Sequence, residues 1–285
     1  SGEFEAVLDQ ALALSDWSGF EQRRQQSAAL GRLRGIGLCS FLEVAGGILE
    51  EPVDLRFHAD GTVSLHMGAQ AIGQGHQSTY PPLIAQRLGI EPAQVRLVAG
   101  DSDQTPGLVA TVASRSTMMV GSAAVMACDE AIRRGYQLAA LVMEAAPEDV
   151  EFDQGCYRVV GTDQVVPLLD LTAHLASRGS VPEDLPATLD NVAKFVSSGM
   201  TFPNGCHICE VEIDPDTGLV EVVRYTAVDD VGVMLNPGVI EGQIMGGVAQ
   251  GLGQVLGERL HYDDQGQLLT ASFMDYPMPR ADTVP

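Results

Sequence analysis

The chain has 285 residues, is 45% hydrophobic and 19% charged, and carries a formal net charge of −22. That size and apolar content exclude a disordered chain and allow a substantial core with two lobes. The negative charge excludes nucleic acid, which needs clustered Lys and Arg, and equally an anionic membrane surface.

Phe4, Val7, Leu8, Ala11 and Leu12 have the spacing of one helix face, and a second helix begins after Ser18 with Glu21 to Gln26 outward. Arg34 to Glu43 reads as a strand. Val53, Leu55 and Phe57 alternate with polar residues, Asp60-Gly61 turns, and Val63, Leu65 and Met67 alternate again, which predicts a hairpin with one buried face. A helix over Gln74 to Leu88 stops at Gly89, and Val95 to Ala99 is a strand. Thr117 to Met143 is a long, Ala-rich, mostly buried helix, and Glu151 to Val166 a further hairpin, with turns near Gln154-Gly155 and Gly161. Residues 180–205, with Pro182, Pro186, Pro203 and Gly205, read as a linker between lobes. Cys206 to Ile213 and Leu219 to Val228 flank Asp214-Pro215-Asp216-Thr217-Gly218 as a third hairpin, and a helix runs from about Val239 to Leu256.

Hairpin, loop, Gly-Gln and helix thus occur twice, at Gly73-Gln74 and Gly242-Gln243. The fold class expected is α+β, built from duplicated β-hairpin/helix (β-β-α) two-layer units. The expected divisions are N-terminal helices and a connecting strand over 1–50, one ligand-binding lobe over 51–200, and a second over 201–285, incomplete at its C-terminus.

Three segments stand out: Gly73-Gln74-Gly75-His76, Ser114-Arg115-Ser116-Thr117, and Asn236-Pro237 with Glu241-Gly242-Gln243. Each leads into a helix, where backbone N–H groups and the dipole favour an anion. Together they point to one long ligand with several phosphates. No Gly-Lys-Ser/Thr triplet closes a Gly-rich loop, so this is no P-loop.

Other features have plainer readings. Cys206 and Cys209 lie three apart in an alternating strand, hence on opposite faces, and do not make a zinc site. His58 and His66 read as solvated cross-strand neighbours on the hairpin's polar face, and His174, His207 and His261 have no evident partner. Gly35-Ile36-Gly37 is strand, and Gly100 to Asp103 is a capping turn. Five scattered Cys suit a reducing cytoplasm, and no stretch reads as a signal peptide or a membrane span.

The motifs "GQGH", "GDSD", "SRST", "VDDVG…NPGVIEGQIMGGVAQGLGQ" and "ASFMDYPMPRA" resemble, in order and spacing, the C-terminal part of the molybdenum-cofactor-binding large subunit of the xanthine dehydrogenase, aldehyde oxidase and carbon monoxide dehydrogenase family. The resemblance covers almost the whole chain. It implies an oxidoreductase that oxidises an aldehyde, an N-heterocycle or carbon monoxide with water-derived oxygen, the alternative being a non-catalytic scaffold that keeps the fold. It implies molybdopterin cytosine dinucleotide with molybdenum held by the pterin dithiolene, so protein metal ligands are not required. It also implies iron–sulfur and FAD groups on partner subunits, besides the remainder of the molybdenum subunit. Among the residues, it implies cofactor contacts at Gln74, Gly75 and His76, with Thr79 one turn on. Ser114, Arg115, Ser116 and Thr117 match a second phosphate loop, with Arg115 as its cation. Asp230, Val231, Gly232, Leu235 and Asn236 match the segment lining the nucleotide, followed by Gln243 and Gln250 on the next helix. The chain departs from the family at Ala110 to Ala113, which lacks the usual glycines, and at Val231, where many members have Cys. The family's general-base Glu, in a "GVGE"-like segment, would fall beyond Pro285. No catalytic residue is therefore assigned, and this chain alone is expected to be inactive.

Overall fold

The computed structural model describes residues 2–107, 109–178 and 180–284. Two compact units are present, one from residues 44–201 and one combining 1–43 with 202–285.

In the unit formed by residues 44–201, strands β2 (Glu50–Phe57), β3 (Val63–Met67), β4 (Val95–Ala99) and β8 (Asn191–Val196) make a sheet of order β4-β3-β2-β8. The β2–β3 hairpin pairs Leu55 with Leu65, and α3 (His76–Leu88) carries the chain across to β4, parallel to β3. Val53, Leu55, Phe57, Val63, Leu65 and Met67 are buried with Tyr80, Ile84, Leu88 and the alanine stripe of α4 (Ser116–Met143). Their alternation in sequence is the pleat's alternation of faces.

Beyond α4 lies a small sheet of β5 (Val150–Asp153), β6 (Cys156–Val159) and β7 (Val165–Pro167), leading into α5 (Leu168–Arg178). Glu151 to Val166 thus holds three strands, turning at Gln154-Gly155 and again near Gly161 as the sequence reading expects. Gly135 of α4 is required by close packing, since a Cβ there would overlap the Tyr157 ring, whose hydroxyl donates to the Ile132 carbonyl.

In the other unit, β1 (Leu33–Leu42), β9 (Asn204–Ile213) and β10 (Val220–Asp230) form an antiparallel sheet of order β1-β9-β10. Helices α1 (Phe4–Leu14) and α2 (Phe20–Ala29) cover one face, burying Ala11, Cys206 and Ile208. Glu210 lies beneath them, 1% exposed, between Arg23 (2.9 Å) and Arg34 (2.6 Å). Burial pushes its carboxyl up, but the two guanidiniums win and hold it below the usual carboxylate range. Helix α6 (Pro237–Leu256) follows a loop.

Two sequence expectations change. The 180–205 stretch is not merely a linker, because β8 lies within it and pairs with β2 (Asp54 opposite Val192). Its alternation was masked by the prolines around it. The 1–50 segment does not stand alone: β1 pairs with β9, Leu38 opposite Ile208.

The histidines also differ from expectation. His66 is 5% exposed, not solvated. Its Nδ1 donates to the Gln104 carbonyl (2.9 Å), which leaves Nε2 to accept from Ser64 (2.9 Å), and Ser64 Oγ accepts from His58 Nε2 (2.8 Å). The loop at Gln104 covers what alternation alone marks as an exposed face. His207 has partners as well: Nδ1 lies 3.0 Å from the Tyr225 hydroxyl and Nε2 3.2 Å from both Asp229 carboxylate oxygens. Cys206 is buried and Cys209 half-buried on the opposite face of β9, as their spacing requires, and no group of three metal-ligating side chains occurs among the described residues.

Candidate functional site

Within residues 44–201 the two loops singled out by sequence come together. The Gln70 carbonyl accepts from Thr111 Oγ1 (2.7 Å) and from Gln74 Nε2 (3.1 Å), so one acceptor ties the segment before α4 to the loop before α3. Gln74 Oε1 accepts from the Ile72 amide (2.6 Å), a local turn that fixes the loop's path. Gly75 adopts φ 79° and caps α3 without a side-chain bond. An added Cβ at Gly73, φ 111°, would meet nothing within 4 Å, so the backbone lies open there.

His76, the first residue of α3, is 4% exposed, packs against Tyr80 with the rings tilted at 51° and centroids 5.0 Å apart, and shares a 3.1 Å contact with Gln74. Burial lowers its basicity, so at neutral pH it is an uncharged imidazole. Thr79 is buried, and its hydroxyl donates to the Gly75 carbonyl (3.0 Å) and closes the first turn. The Tyr80 hydroxyl is buried and resists ionisation, with Thr117, Glu51 and Arg115 as its polar neighbours.

Helix α4 starts at Ser116, and no side chain caps it. Its first N–H groups therefore have no acceptor within the helix. Ser114 and Thr117 are exposed and Ser116 partly so. Ala113 (φ 53°) and Ser114 (φ 50°) are successive left-handed residues.

Arg115 departs from expectation. Its side chain is wholly buried. Nε donates to the Ile48 carbonyl (3.0 Å), Nη2 to the Glu50 carbonyl (2.8 Å), and Nη1 lies 2.7 Å from Glu51, itself fully buried. That last contact is a charge contact rather than an aligned hydrogen bond. Burial raises the Glu51 carboxyl above its usual range while Arg115 pulls it back. The guanidinium is thus engaged inside the fold rather than presented at the surface, where the sequence reading expects a cation for phosphate. A Ser-Arg-Ser-Thr string gives no hint of this, because the acceptors at 48, 50 and 51 lie far away in sequence.

In the other unit, Asp230 Oδ1 accepts from the Gly232 amide (3.0 Å), and Gly232 has φ 74°. Val231 and Leu235 are exposed. Asn236 caps α6, accepting from the Val239 amide (3.2 Å). Gln243 and Gln250 are exposed on that helix. A Cβ at Gly242, Gly246, Gly247 or Gly251 would meet nothing within 4 Å, so α6 presents bare backbone alongside both glutamines. Gln70, Thr111, Tyr80 and Glu51 were not singled out by sequence, and their roles rest on contacts without local periodicity.

A family model described as "Molybdopterin cofactor-binding domain" matches residues 10–285. The carbon monoxide dehydrogenase large chain of Afipia carboxidovorans is 32% identical over 100% of this chain and 37% of its own length. The nicotine 6-hydroxylase large subunit of Paenarthrobacter nicotinovorans is 30% identical over 100% of this chain and 36% of its own. Among solved structures, CO dehydrogenase from Oligotropha carboxidovorans superposes with a TM-score of 0.88 at 31% identity, covering 100% of this chain and 37% of that one. Quinoline 2-oxidoreductase from Pseudomonas putida 86 gives 0.86 at 31%, covering 100% and 38%. The chain thus spans a little over a third of the length of these relatives.

Proposed function

The chain belongs to the molybdopterin cofactor-binding domain family of molybdenum hydroxylases, and from that premise we propose that it holds molybdopterin cytosine dinucleotide in an oxidoreductase acting on an N-heterocycle, an aldehyde or carbon monoxide. The similar proteins include a carbon monoxide dehydrogenase, a nicotine hydroxylase and a quinoline oxidoreductase, which supports that substrate range. Because the chain spans only part of their length, hydroxylation is proposed for the whole subunit. Relatives designated large chain, large subunit and subunit gamma of a complex support an assembly with further subunits, and we propose from the family resemblance that these carry the iron–sulfur and FAD groups. We place that assembly in the cytoplasm, in keeping with five free cysteines.

The observation carrying this reading is the joining of the Gly73–His76 and Thr111–Thr117 loops through the Gln70 carbonyl. It puts an open glycine backbone and an uncapped helix start in one unit. These residues fit a large polar dianionic ligand: their donors are neutral, and the glycines leave room for close approach. When bound, the cofactor supplies two-electron redox chemistry at molybdenum. The protein's part is to bind and orient it. Backbone N–H groups at the starts of α3 and α4, with Gln74, Ser114, Ser116 and Thr117, would take pterin and phosphate oxygens, and the buried His76 would orient Gln74. The chain's −22 charge is then offset only by local dipoles, since Arg115 faces inward. For Asp230 to Asn236, Gln243 and Gln250, in the other unit, a contact with the nucleotide is proposed on the family resemblance alone.

The test is to purify the full subunit, measure molybdenum, and digest the released cofactor with phosphodiesterase for mass spectrometry. Cytidine monophosphate in proportion to molybdenum is expected. Pterin without a nucleotide would overturn the dinucleotide, and a subunit without any pterin would leave it a scaffold.

A further inference from the structure

We propose that Arg115 and Glu51 are positioning residues: their buried pair clamps the Ala113–Thr117 turn in the shape that leaves the start of α4 open to an anion. The proposal rests on the reading that this loop meets the cofactor's phosphates.

The turn is unfavourable by itself. Ala113 and Ser114 both adopt left-handed φ, at 53° and 50°, where residues with a Cβ are uncommon, and the glycines that would ease it are absent. Something must hold it. Besides the Tyr80 hydroxyl beside Thr117, the anchors come from one short segment just before and within β2. The Gly46 amide donates to the Ala113 carbonyl (2.9 Å), and the Arg115 fork engages the carbonyls of Ile48 and Glu50 and the carboxylate of Glu51. A guanidinium can reach three acceptors in one plane; an ammonium offers no such planar fork. Glu51 supplies the countercharge that lets a cation stay fully buried.

The same geometry separates holding from mere stabilisation. A buried ion pair can commonly be replaced by apolar side chains with stability kept or raised. An apolar pair here would fill the space but leave the Ile48 and Glu50 carbonyls without donors, releasing the turn. Stability and loop shape should therefore part company in Arg115→Met/Glu51→Leu.

The experiment compares the full chain, Arg115→Met/Glu51→Leu and Arg115→Lys by melting, hydrogen exchange over residues 112–119 and titration with inorganic pyrophosphate. For the double variant we expect a folded protein that still melts cooperatively, exchange at 113–118 faster by at least about tenfold, and pyrophosphate affinity lower by about as much, the size set by losing a charge-assisted hydrogen bond. Arg115→Lys, which keeps the charge, should show the same loss of protection, and it decides the matter if the double variant fails to fold. Wild-type protection in either folded variant would overturn the clamp. If exchange behaves as expected but the wild-type chain does not take up pyrophosphate, the phosphate reading of the loop falls instead, and the ligand-facing part of this inference with it.

Discussion

Thr111 Oγ1 donates to the Gln70 carbonyl at 2.7 Å, joining the approach to α4 to the loop that precedes α3. The same carbonyl serves Gln74, so the position of one loop is read by the other. Thr111→Val removes the donor while keeping the shape. A loss of about 0.5–1.5 kcal/mol is expected for one hydrogen bond, and Thr111→Ser should retain most of it. Urea unfolding of the three proteins checks this; equal midpoints for Val and wild type would show that the link is dispensable.

Glu210, buried between Arg23 and Arg34, should be the most sensitive charge in its unit. Glu210→Gln removes the charge that Arg23 and Arg34 share and leaves them only their outer partners Asp16 and Glu212, at a cost of about 1.5–3 kcal/mol for a charge-assisted hydrogen bond. Trp17 is the only tryptophan and lies in the same unit, so its fluorescence follows that unit alone. Because the folded carboxyl is held below its ordinary range, its contribution is complete above the unfolded value of about 4.3 and fades as pH falls below it. The wild-type and Gln variant midpoints should converge in acid.

The His66 imidazole is kept neutral, chiefly by burial, and its basicity is lowered. The unfolded chain then binds the proton first, so stability should be full above about pH 6.5 and decline as pH drops below it. His76, shifted the same way, adds to the effect. His66→Gln should flatten part of the decline. The Gln104 carbonyl fixes the proton on Nδ1, and nitrogen chemical shifts reporting an Nε2–H tautomer would contradict the hydrogen-bond chain to Ser64 and His58.

Gly135→Ala places a methyl group against Tyr157 in the middle of α4. Alanine is the better helix former, yet overpacking here should destabilise by about 1–3 kcal/mol. Pairing it with Tyr157→Phe, which removes the nearest atom, should recover part of the loss. A stabilised Gly135→Ala would mean that the ring moves freely.

Local chemistry made much of this molecule legible. Alternation of Val, Leu and Met predicted β2 and β3, helical spacing predicted α1, and Gly89 marked the end of α3, because each signal acts over a few neighbouring residues. The order of the Gly-Gln, Ser-Arg-Ser-Thr and Asn-Pro segments was enough to indicate the family. Only the tertiary structure decided what depends on distant partners. β8 became a strand because β2 offered it a free edge. His66 became buried because the loop at Gln104 folded over its face. Arg115 turned inward because Ile48, Glu50 and Glu51 gather three acceptors at the one place a planar cation can meet them, and no pattern around residue 115 carries that information.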